Sequence, residues 1–325
     1  MKILVTGGTG FIGGSLAERL VKEGHEVRCL VRKTSNVSFL DKLGVEKIYG
    51  DIENISSLET AMKDIDTVYN MVGILGKWKI PEEIFWRTHV NGTKNILDAS
   101  INAGIKKLVH CSTAGVLGVI EKLPADESYP YNPYTIYETT KVEAEKLVFE
   151  YHNKYKLPVT IIRPELVYGP RDLFTLKFFQ AVKRGFFPII GNGNNTCHLV
   201  YIDDLVKAFM LCIDKKATGD AYLIGGESYI TMNELLTNMA NALGVKPPGI
   251  HIPIKLVSIM ATMMEFSGTV LNFEPILTKS RVRFFTENKG SSYAKAKKEL
   301  GYVPDVSLED GLRRSVEWYR KNGML

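Results

Sequence analysis

The chain has 325 residues, 45% of them hydrophobic and 24% charged, and its 41 basic and 36 acidic side chains give a formal net charge of +5 at pH 7. This length can bury a full core, and the composition is that of a globular protein rather than a disordered or fibrous one. The small basic excess is spread along the chain without an aromatic-interleaved cluster, which argues against a nucleic-acid partner.

Cysteine and histidine usage indicates the compartment and the absence of metal. The cysteines lie far apart and form no C-x-x-C pair, so we expect neither a disulfide framework nor a zinc site, and the histidines show no metal-ligand spacing either. An apolar run begins two residues from the first Met, with no charged segment and apolar leader before it. We therefore expect a cytoplasmic protein that holds no metal.

Short apolar runs alternate with helix-period stretches over roughly the first 165 residues. Residues 11–24 and 90–104 are two of the helical stretches. Strands separated by helices of this length predict βαβ units, right-handed crossovers and a parallel sheet covered on both faces. The predicted fold class is α/β, a doubly wound parallel-sheet Rossmann fold. Its predicted strands are 2–6, 26–31, 46–50, 66–72, 106–112 and 158–163.

The segment TGGTGFIG, residues 6–13, joins the first predicted strand to the first predicted helix. Gly7 permits a tight turn, Gly10 lets backbone N–H groups approach a phosphate, and Gly13 lets the helix pack closely on its strand. The positive end of the helix dipole then faces the phosphates. Because a strand precedes these glycines and a helix follows, they predict a dinucleotide-binding turn.

The second predicted strand ends in Val31, followed by Arg32 and Lys33. NAD-selective enzymes carry Asp or Glu at this place, because a carboxylate accepts hydrogen bonds from the adenosine ribose hydroxyls. A guanidinium can instead hold a 2′-phosphate through two hydrogen bonds. We therefore predict NADP as the cofactor. NAD is the alternative, in which Arg32 and Lys33 only cap a solvent-facing turn.

The segment YETTK places Tyr137 and Lys141 four residues apart, on one face of a predicted helix. The unperturbed pKa of a phenol is about 10, and a neighbouring ammonium and an oxidised nicotinamide would both lower it. Tyr137 can then take the proton of a substrate alcohol as hydride leaves. The strand before this helix ends in CSTAG, where the Thr113 hydroxyl can stabilise charge on the reacting oxygen.

These segments resemble the extended short-chain dehydrogenase/reductase superfamily, in its NAD(P)-dependent epimerase/dehydratase group, over nearly the whole chain. The resemblance rests on the glycine spacing of residues 7–13, on Ser112-Thr113 and on YETTK, with support from VYNMVG, HVNGT and IIRPELVYGP. It implies hydride transfer with Thr113, Tyr137 and Lys141 as catalytic residues. The cofactor-binding residues predicted from these motifs and from the resemblance are Gly7, Thr9, Gly10, Phe11, Ile12, Gly13, Arg32, Lys33, Asp51, Ile52, Met71, Val72, Gly73, Ser112, Tyr137, Lys141 and Pro164.

Two departures from the family pattern bear on the reaction. Sugar-nucleotide dehydratases of this family follow the threonine with Asp and Glu, because elimination of water needs a second acid/base pair. This chain has Ala114 and Gly115 there, which disfavours elimination and decarboxylation. Leu117 replaces the usual tyrosine of the same segment.

Three further positions are interpreted through the resemblance. Asn70 stands where the family has a histidine, at the end of a strand that passes under the cofactor. Asn91, in HVNGT, resembles the family asparagine that supports the active-site segment. Asp203 or Asp204, in HLVYIDDL, is expected to cap the helix that begins there.

Turn-rich segments separate less regular helices beyond residue 165. We assign 1–165 to a dinucleotide-binding Rossmann domain, with its sheet completed by later segments near 195–225. Residues 166–325 are assigned mainly to a smaller substrate-binding region and C-terminal helices. The last stretch predicts two amphipathic helices, the second capped by Ser307 with Asp310 in a box-like position.

The most apolar segment, residues 250–266, has nine uncharged residues between Lys255 and Glu265. A membrane span needs about 20. We therefore predict a core helix or a lid over the site, with an interfacial anchor as the alternative.

Two substrate classes stay open. GNGNNTCHLVYIDDL resembles the nucleotide side of sugar-nucleotide epimerases, whereas residues 31–33, the Met-rich stretch 256–264 and EPILTKSRVRFF resemble the 3β-hydroxysteroid dehydrogenase and dihydroflavonol reductase branches. We expect an oxidoreductase that acts on a small-molecule secondary alcohol or ketone, with a nucleotide-sugar epimerase as the alternative. A non-catalytic cofactor-binding sensor is disfavoured, because such proteins generally lack the Tyr/Lys pair. The resemblance also implies a homodimer built through the Tyr137 helix and a helix near 82–103.

Overall fold

The computed structural model describes residues 1–76, 78–185, 187–213 and 217–325. A π-helical turn covers Trp86–Asn91, and a 3-10 turn covers Ala114–Leu117. In chain order the strands and helices are β1 (Lys2–Thr6), α1 (Phe11–Lys22), β2 (Glu26–Val31), α2 (Ser38–Leu43), β3 (Glu46–Tyr49), α3 (Ile55–Met62), β4 (Thr67–Asn70), α4 (Glu82–Phe85), α5 (Gly92–Asn102), β5 (Lys107–Cys111), α6 (Ile136–Tyr155), β6 (Val159–Pro164), β7 (Leu166–Tyr168), α7 (Leu173–Lys183), β8 (Ile189–Ile190), β9 (Thr196–Cys197), β10 (Leu199–Tyr201), α8 (Ile202–Leu211), β11 (Asp220–Ile224), β12 (Ile230–Thr231), α9 (Met232–Leu243), β13 (His251–Ile252), α10 (Ile254–Val270), α11 (Lys279–Phe284), α12 (Ala294–Leu300) and α13 (Leu308–Lys321).

The main sheet has seven parallel strands in the order β3-β2-β1-β4-β5-β6-β11. The order reverses between β1 and β4, and such a switch point leaves a ligand crevice at the carboxyl ends of the strands. The predicted α/β doubly wound Rossmann fold is confirmed. Each of the six predicted strands overlaps one of β1 to β6.

Alternating side chains of the sheet build a core on each face. On β1, Ile3 and Val5 pack with Leu16 of α1 and Phe209 of α8. Leu4 points the other way and joins a cluster that contains residues of α3, α5 and α6. This period of two is what a strand buried on both faces requires.

The later half of the chain contributes β11 to the main sheet and forms small two-stranded pairs, β7 with β10, β9 with β12 and β8 with β13. The domain boundary at residue 165 stays a prediction. Helices α12 and α13 lie where two C-terminal helices were predicted, and Ser307 Oγ accepts the backbone N–H of Asp310 at 3.2 Å. The Asp310 carboxylate pairs with Arg313 and Arg314 instead of completing a capping box.

The predicted cap of α8 is wrong. Asp203 and Asp204 lie inside the first turn of α8, and the residue at the cap position is Tyr201, which has no side-chain capping bond. The Asp204 carboxylate instead accepts the backbone N–H groups of Asp305 and Val306, at 2.8 and 3.2 Å. It thereby ties α8 to the segment before α13, and the first-turn carboxylates still complement the helix dipole.

Helix α10 does not lie in the core. It buries a narrow stripe, Val257, Ala261 and Gly268, and leaves most of its large apolar side chains exposed. The expectation of a core helix is therefore wrong. Within the described part of the chain, no helix is long and apolar enough to cross a membrane.

A buried ion pair fastens α6 to the sheet. Arg163 of β6 donates from Nε to both carboxylate oxygens of Glu145, at 3.0 and 3.1 Å, and from Nη2 at 2.6 Å. The Tyr131 hydroxyl donates to Glu145 Oε2 at 2.7 Å and accepts from Arg163 Nη2 at 2.8 Å. Both charged side chains are almost wholly buried, so each depends on the other for compensation.

Glu145→Ala should lower the free energy of unfolding by about 3–5 kcal/mol, because Arg163 would remain as an uncompensated buried charge. Glu143→Ala is the matched control, since Glu143 pairs with Lys146 on the exposed side of the same helix. We expect it to cost less than about 1 kcal/mol. Urea unfolding measures both, and equal losses would contradict the role given to the buried pair.

Candidate active site

The glycine turn after β1 is closed by backbone packing. Gly7 has a φ of +72°, and a Cβ there would lie 2.8 Å from the carbonyl oxygen of Met71. A Cβ on Gly13 would lie 2.9 Å from the carbonyl carbon of Gly7. Gly10 precedes α1 and supplies no side-chain cap, so the N–H groups of the first helical turn stay available. The turn therefore suits a pyrophosphate.

Parallel pairing brings the other predicted cofactor residues to the same edge of the sheet. Thr9 is exposed in the glycine turn, and Phe11 and Ile12 begin α1 half-buried. The rest follow strand ends. Asp51 and Ile52 follow β3, Met71, Val72 and Gly73 follow β4, Ser112 follows β5, and Pro164 ends β6.

Arg32 and Lys33 follow β2 beside this turn. Leu30 of β2 pairs with Thr6, the last residue of β1, so Arg32 comes two residues beyond that pair. Both basic side chains are exposed, and neither has an ion pair or hydrogen bond to any part of the chain that the structure describes. Their positive charge is thus uncompensated next to the helix N-terminus.

Asp51 organises the loop after β3. Its Oδ1 accepts the backbone N–H of Glu53 at 3.0 Å. The cap of α3 is Asn54, whose side chain accepts from the backbone of Ser57. Capping this helix is therefore not the role of Asp51.

The structure brings the predicted catalytic residues together at the carboxyl end of β5. Helix α6 begins at Ile136 behind a full capping box, and this fixes Tyr137 in its first turn. The Thr113 side chain lies close enough to the Tyr137 hydroxyl to act on the pKa of the phenol. One turn further along, Lys141 donates from Nζ to the carbonyl oxygen of Cys111 at 2.5 Å.

Burial governs the protonation of these groups. It raises the pKa of the Tyr137 phenol above its ordinary value, while the neighbouring Thr113 side chain acts in the opposite direction. Burial also lowers the pKa of the Lys141 ammonium. We expected Lys141 to lower the pKa of Tyr137, and for the chain's own residues this expectation is wrong. The effect of an oxidised nicotinamide stays a prediction.

His89 is a site residue that the sequence reasoning missed. Its Nε2 accepts the backbone N–H of Ile74 at 3.0 Å, and its Nδ1 lies 2.8 Å from Oγ1 of Thr140. These bonds imply a neutral ring with the proton on Nδ1. The ring meets Tyr137 edge-on, with centroids 5.5 Å apart. Burial lowers the pKa of His89 to about 3, with a further contribution from Lys141.

His89, two residues before Asn91 in HVNGT, therefore fills the supporting role that we expected of Asn91. Asn91 is exposed, whereas His89 is buried within the same π-helical turn. Such turns shift the side-chain register of a helix and often occur at functional sites. The motif HVNGT could be recognised in the sequence, but the sequence did not reveal which of its residues faces the site.

Asn70 links the ends of the central strands. Its Oδ1 accepts from the Thr6 hydroxyl at 3.2 Å, and its Nδ2 donates to Thr93 at 3.2 Å and to Nδ1 of His110 at 3.1 Å. An amide can make all of these bonds at once, which explains how Asn replaces the family histidine. Leu117, the other departure, is buried in a small apolar cluster.

One buried hydroxyl at the site has no partner. Ser112 Oγ, directly after β5, is buried without a hydrogen bond to any described residue. A bound polar group would satisfy it. With the uncapped glycine turn and the Lys141 ammonium, this hydroxyl makes the crevice fit a nicotinamide dinucleotide. The residues described include no cluster of His, Cys, Asp and Glu that could hold a metal ion.

The sequence profile of the NAD-dependent epimerase/dehydratase family matches residues 3–225. The chain belongs to this family. Its resemblance to the extended short-chain dehydrogenase/reductase superfamily is confirmed. The family is NAD dependent.

Named relatives cover almost the whole chain. It is 31% identical to a 2-alkyl-3-oxoalkanoate reductase of Stenotrophomonas maltophilia, over 97% of this chain and 98% of the relative. It is 30% identical to a 3-beta-hydroxysteroid dehydrogenase of Mycolicibacterium neoaurum, over 98% and 91%. The solved UDP-glucose 4-epimerase of Thermotoga maritima superposes with a TM-score of 0.82 at 26% identity, over 99% of both chains.

The buried neutral histidines predict that stability falls in acid. Burial lowers the folded-state pKa of both His89 and His110, below an unfolded value of about 6.5. The unfolded chain therefore binds protons first, so stability is complete above that value and is lost as the pH falls towards the folded pKa. His89→Gln should flatten the dependence of unfolding free energy on pH by about 1.4 kcal/mol per unit below pH 6.5.

Urea unfolding at a series of pH values from neutral down to the acid limit of folding measures this slope. His251→Gln is the control, because His251 is exposed. A slope that His89→Gln leaves at the wild-type value would show that His89 is not held neutral.

Proposed function

We propose that the protein is an NADP-dependent oxidoreductase that transfers hydride at a secondary alcohol or ketone carbon, with Tyr137 as the acid/base. One observation carries this proposal. The Tyr137 phenol, the Thr113 hydroxyl and the Lys141 ammonium converge at the end of β5, on the sheet edge that also bears the glycine turn. A proton donor and a cation thus share one crevice with a dinucleotide site.

Each residue has a distinct role in the proposed reaction. The cofactor, when bound, accepts or supplies the hydride. In reduction, Tyr137 donates its proton to the substrate oxygen while the Thr113 hydroxyl hydrogen-bonds to the same oxygen. Lys141, as the family resemblance implies, would hold the ribose hydroxyls of the nicotinamide. Because burial raises the pKa of Tyr137, the phenol stays protonated until an alkoxide develops beside it.

An apolar alcohol or ketone is the substrate class we favour. The relatives at 30–31% identity are named for 3-oxoalkanoate and 3β-hydroxysteroid substrates. Ala114 and Gly115 leave the segment after Thr113 without a second acid/base pair. The exposed apolar side chains of α10 are a further reason to favour an apolar substrate.

A nucleotide-sugar epimerase is the second candidate, supported by the superposition on UDP-glucose 4-epimerase. The absorbance of reduced nicotinamide separates the two. An oxidoreductase consumes or forms it with turnover, whereas an epimerase recycles its cofactor and leaves the absorbance constant. Assays with a panel of apolar ketones and of UDP-sugars, followed by this absorbance and by product analysis, would decide between them.

Tyr137→Phe should lower kcat by about 10²–10⁴-fold, because the proton donor is lost. The dissociation constant of NADPH should change little, since the phenol acts mainly on the reacting oxygen. Tyr155→Phe is the control, an exposed tyrosine at the far end of the same helix. Retained turnover in Tyr137→Phe, measured with any accepted substrate, would remove Tyr137 from the mechanism.

Arg32→Ala/Lys33→Ala should weaken NADPH binding by about tenfold or more while leaving NADH binding nearly unchanged, because only NADPH carries the 2′-phosphate. Lys297→Ala/Lys298→Ala removes the same charge from an exposed segment far along the chain. Fluorescence titration with both cofactors measures the effect. Tighter binding of NADH than NADPH by the wild type would overturn the assignment to NADP.

We also propose a homodimer built through α5 and α6. These helices pack against each other along one side of the sheet, and two copies would form a four-helix bundle. Sedimentation should show a dimer at micromolar concentration, and a monomer alone would reject the proposal.

A further inference from the structure

Helix α10 carries a broad apolar face that none of the described residues covers. It continues past the helix to Ile276, which is 84% exposed, and includes Phe266 at 72%. Single exposed apolar residues are ordinary, but a contiguous set of this size marks an interaction surface. We name this set the α10 face. Its residues are Leu256, Ile259, Met260, Met263, Phe266, Val270, Leu271 and Ile276.

The small residues of α10 explain why this face cannot turn inward. Val257 and Ala261 pack in a small cluster with Val282 of α11. A Cβ on Gly268 would lie 2.6 Å from Cγ of Pro275, so the turn after the helix presses directly on its backbone. Because of these close contacts, the side of α10 that carries the small residues faces the rest of the protein. The large side chains must therefore point outward.

Basic side chains predominate around the α10 face. Residues 246–283 contain five basic and two acidic side chains. Both acidic side chains have a partner within the protein. Glu265 accepts the backbone N–H of Lys279 at 2.9 Å, and Glu274 pairs with Arg281 at 2.6 Å. Lys246, Lys255 and the Lys279 ammonium have no ion pair or hydrogen bond among the residues described.

We propose that the α10 face docks the protein on the surface of an anionic lipid bilayer. An apolar helical face bordered by lysines matches that environment, because the apolar groups enter the acyl boundary while the ammoniums meet lipid phosphates. The helix is about 25 Å long at 1.5 Å per residue and lies along the surface rather than across it. No membrane-spanning segment is required.

Charge favours the bilayer over a second copy of the chain. In a twofold dimer through this face the same patch lies on both sides, so the basic border of one copy would face that of the other. An anionic surface presents the opposite sign to the unpaired lysines. The complementarity is therefore with lipid.

Two contacts connect the region around α10 to segments that flank the candidate site. Lys79, in the loop after β4, donates from Nζ to Asn272 Oδ1 at 3.0 Å. The Arg283 guanidinium of α11 stacks 3.2 Å over the ring of Tyr134, three residues before Tyr137. Docking would bring the crevice close to the bilayer, which suits an apolar substrate. That consequence rests on the proposed function, whereas the docking itself does not.

The test is co-sedimentation of the full chain with vesicles of phosphatidylcholine, with and without phosphatidylserine. We expect binding to vesicles that contain phosphatidylserine, weakened by added salt. Ile259→Glu/Phe266→Glu should reduce the partition coefficient by about tenfold or more. Ile55→Glu/Val303→Glu, at two exposed apolar positions elsewhere, is the matched control and should bind like the wild type. Lys255→Gln/Lys279→Gln should weaken binding by about fivefold per lysine on phosphatidylserine vesicles alone.

Thermal melting of each variant checks that the fold is retained. Ile259→Ser/Phe266→Ser replaces the glutamate pair if that pair does not fold. Absence of binding by the wild type to either vesicle, or binding unaffected by the substitutions at 259 and 266, would overturn the proposal. So would a concentration-dependent dimer in light scattering that these substitutions abolish, because the face would then be a contact between copies. None of these readouts depends on enzymatic activity.

Discussion

The attachment of α6 to the sheet is the constraint on which the site depends. Two buried cations hold the helix in place. Lys141 reaches from the helix to the carbonyl of Cys111 on β5, and Arg163 reaches from β6 to Glu145 on the helix. Because these contacts lie on successive turns of the same face, the helix can neither rotate nor slide without leaving a buried charge uncompensated. Tyr137, one turn before Lys141, is thereby held at the end of β5.

The same burial gives the site its resting protonation states. Removing water from the crevice raises the pKa of the Tyr137 phenol and lowers those of the Lys141 ammonium and His89. The proton thus stays on the phenol, and the neutral imidazole adds no second positive charge beside it. The ring of His89 serves instead to link the loop after β4 to α6 through Ile74 and Thr140. Beside Tyr137, the hydrogen bonds of this neutral ring add to the hold that the two buried cations have on α6.

Local patterns in the sequence predicted the fold and the glycine turn, because each depends on neighbours within one βαβ unit. Features set by distant contacts were not predictable in this way. His89 faces the site only because a π-helical turn shifts the register, and Asp204 binds backbone groups a hundred residues away instead of capping its helix. The pKa direction of Tyr137 depends on how deeply α6 packs, which the spacing to Lys141 does not reveal.

Helix α10 shows that hydrophobicity alone does not predict whether a segment is buried. Apolar residues occur on every side of it, which predicts burial on every side. The size of the side chains determines which side of α10 is buried. The side that carries Val257, Ala261 and Gly268 allows α11 and Pro275 to approach closely, whereas the side with the large side chains does not. If the α10 face docks on a bilayer as proposed, it restricts where the protein is most stable. Apolar molecules concentrate at the same surface, so they would be the substrates that reach the proposed active site most readily.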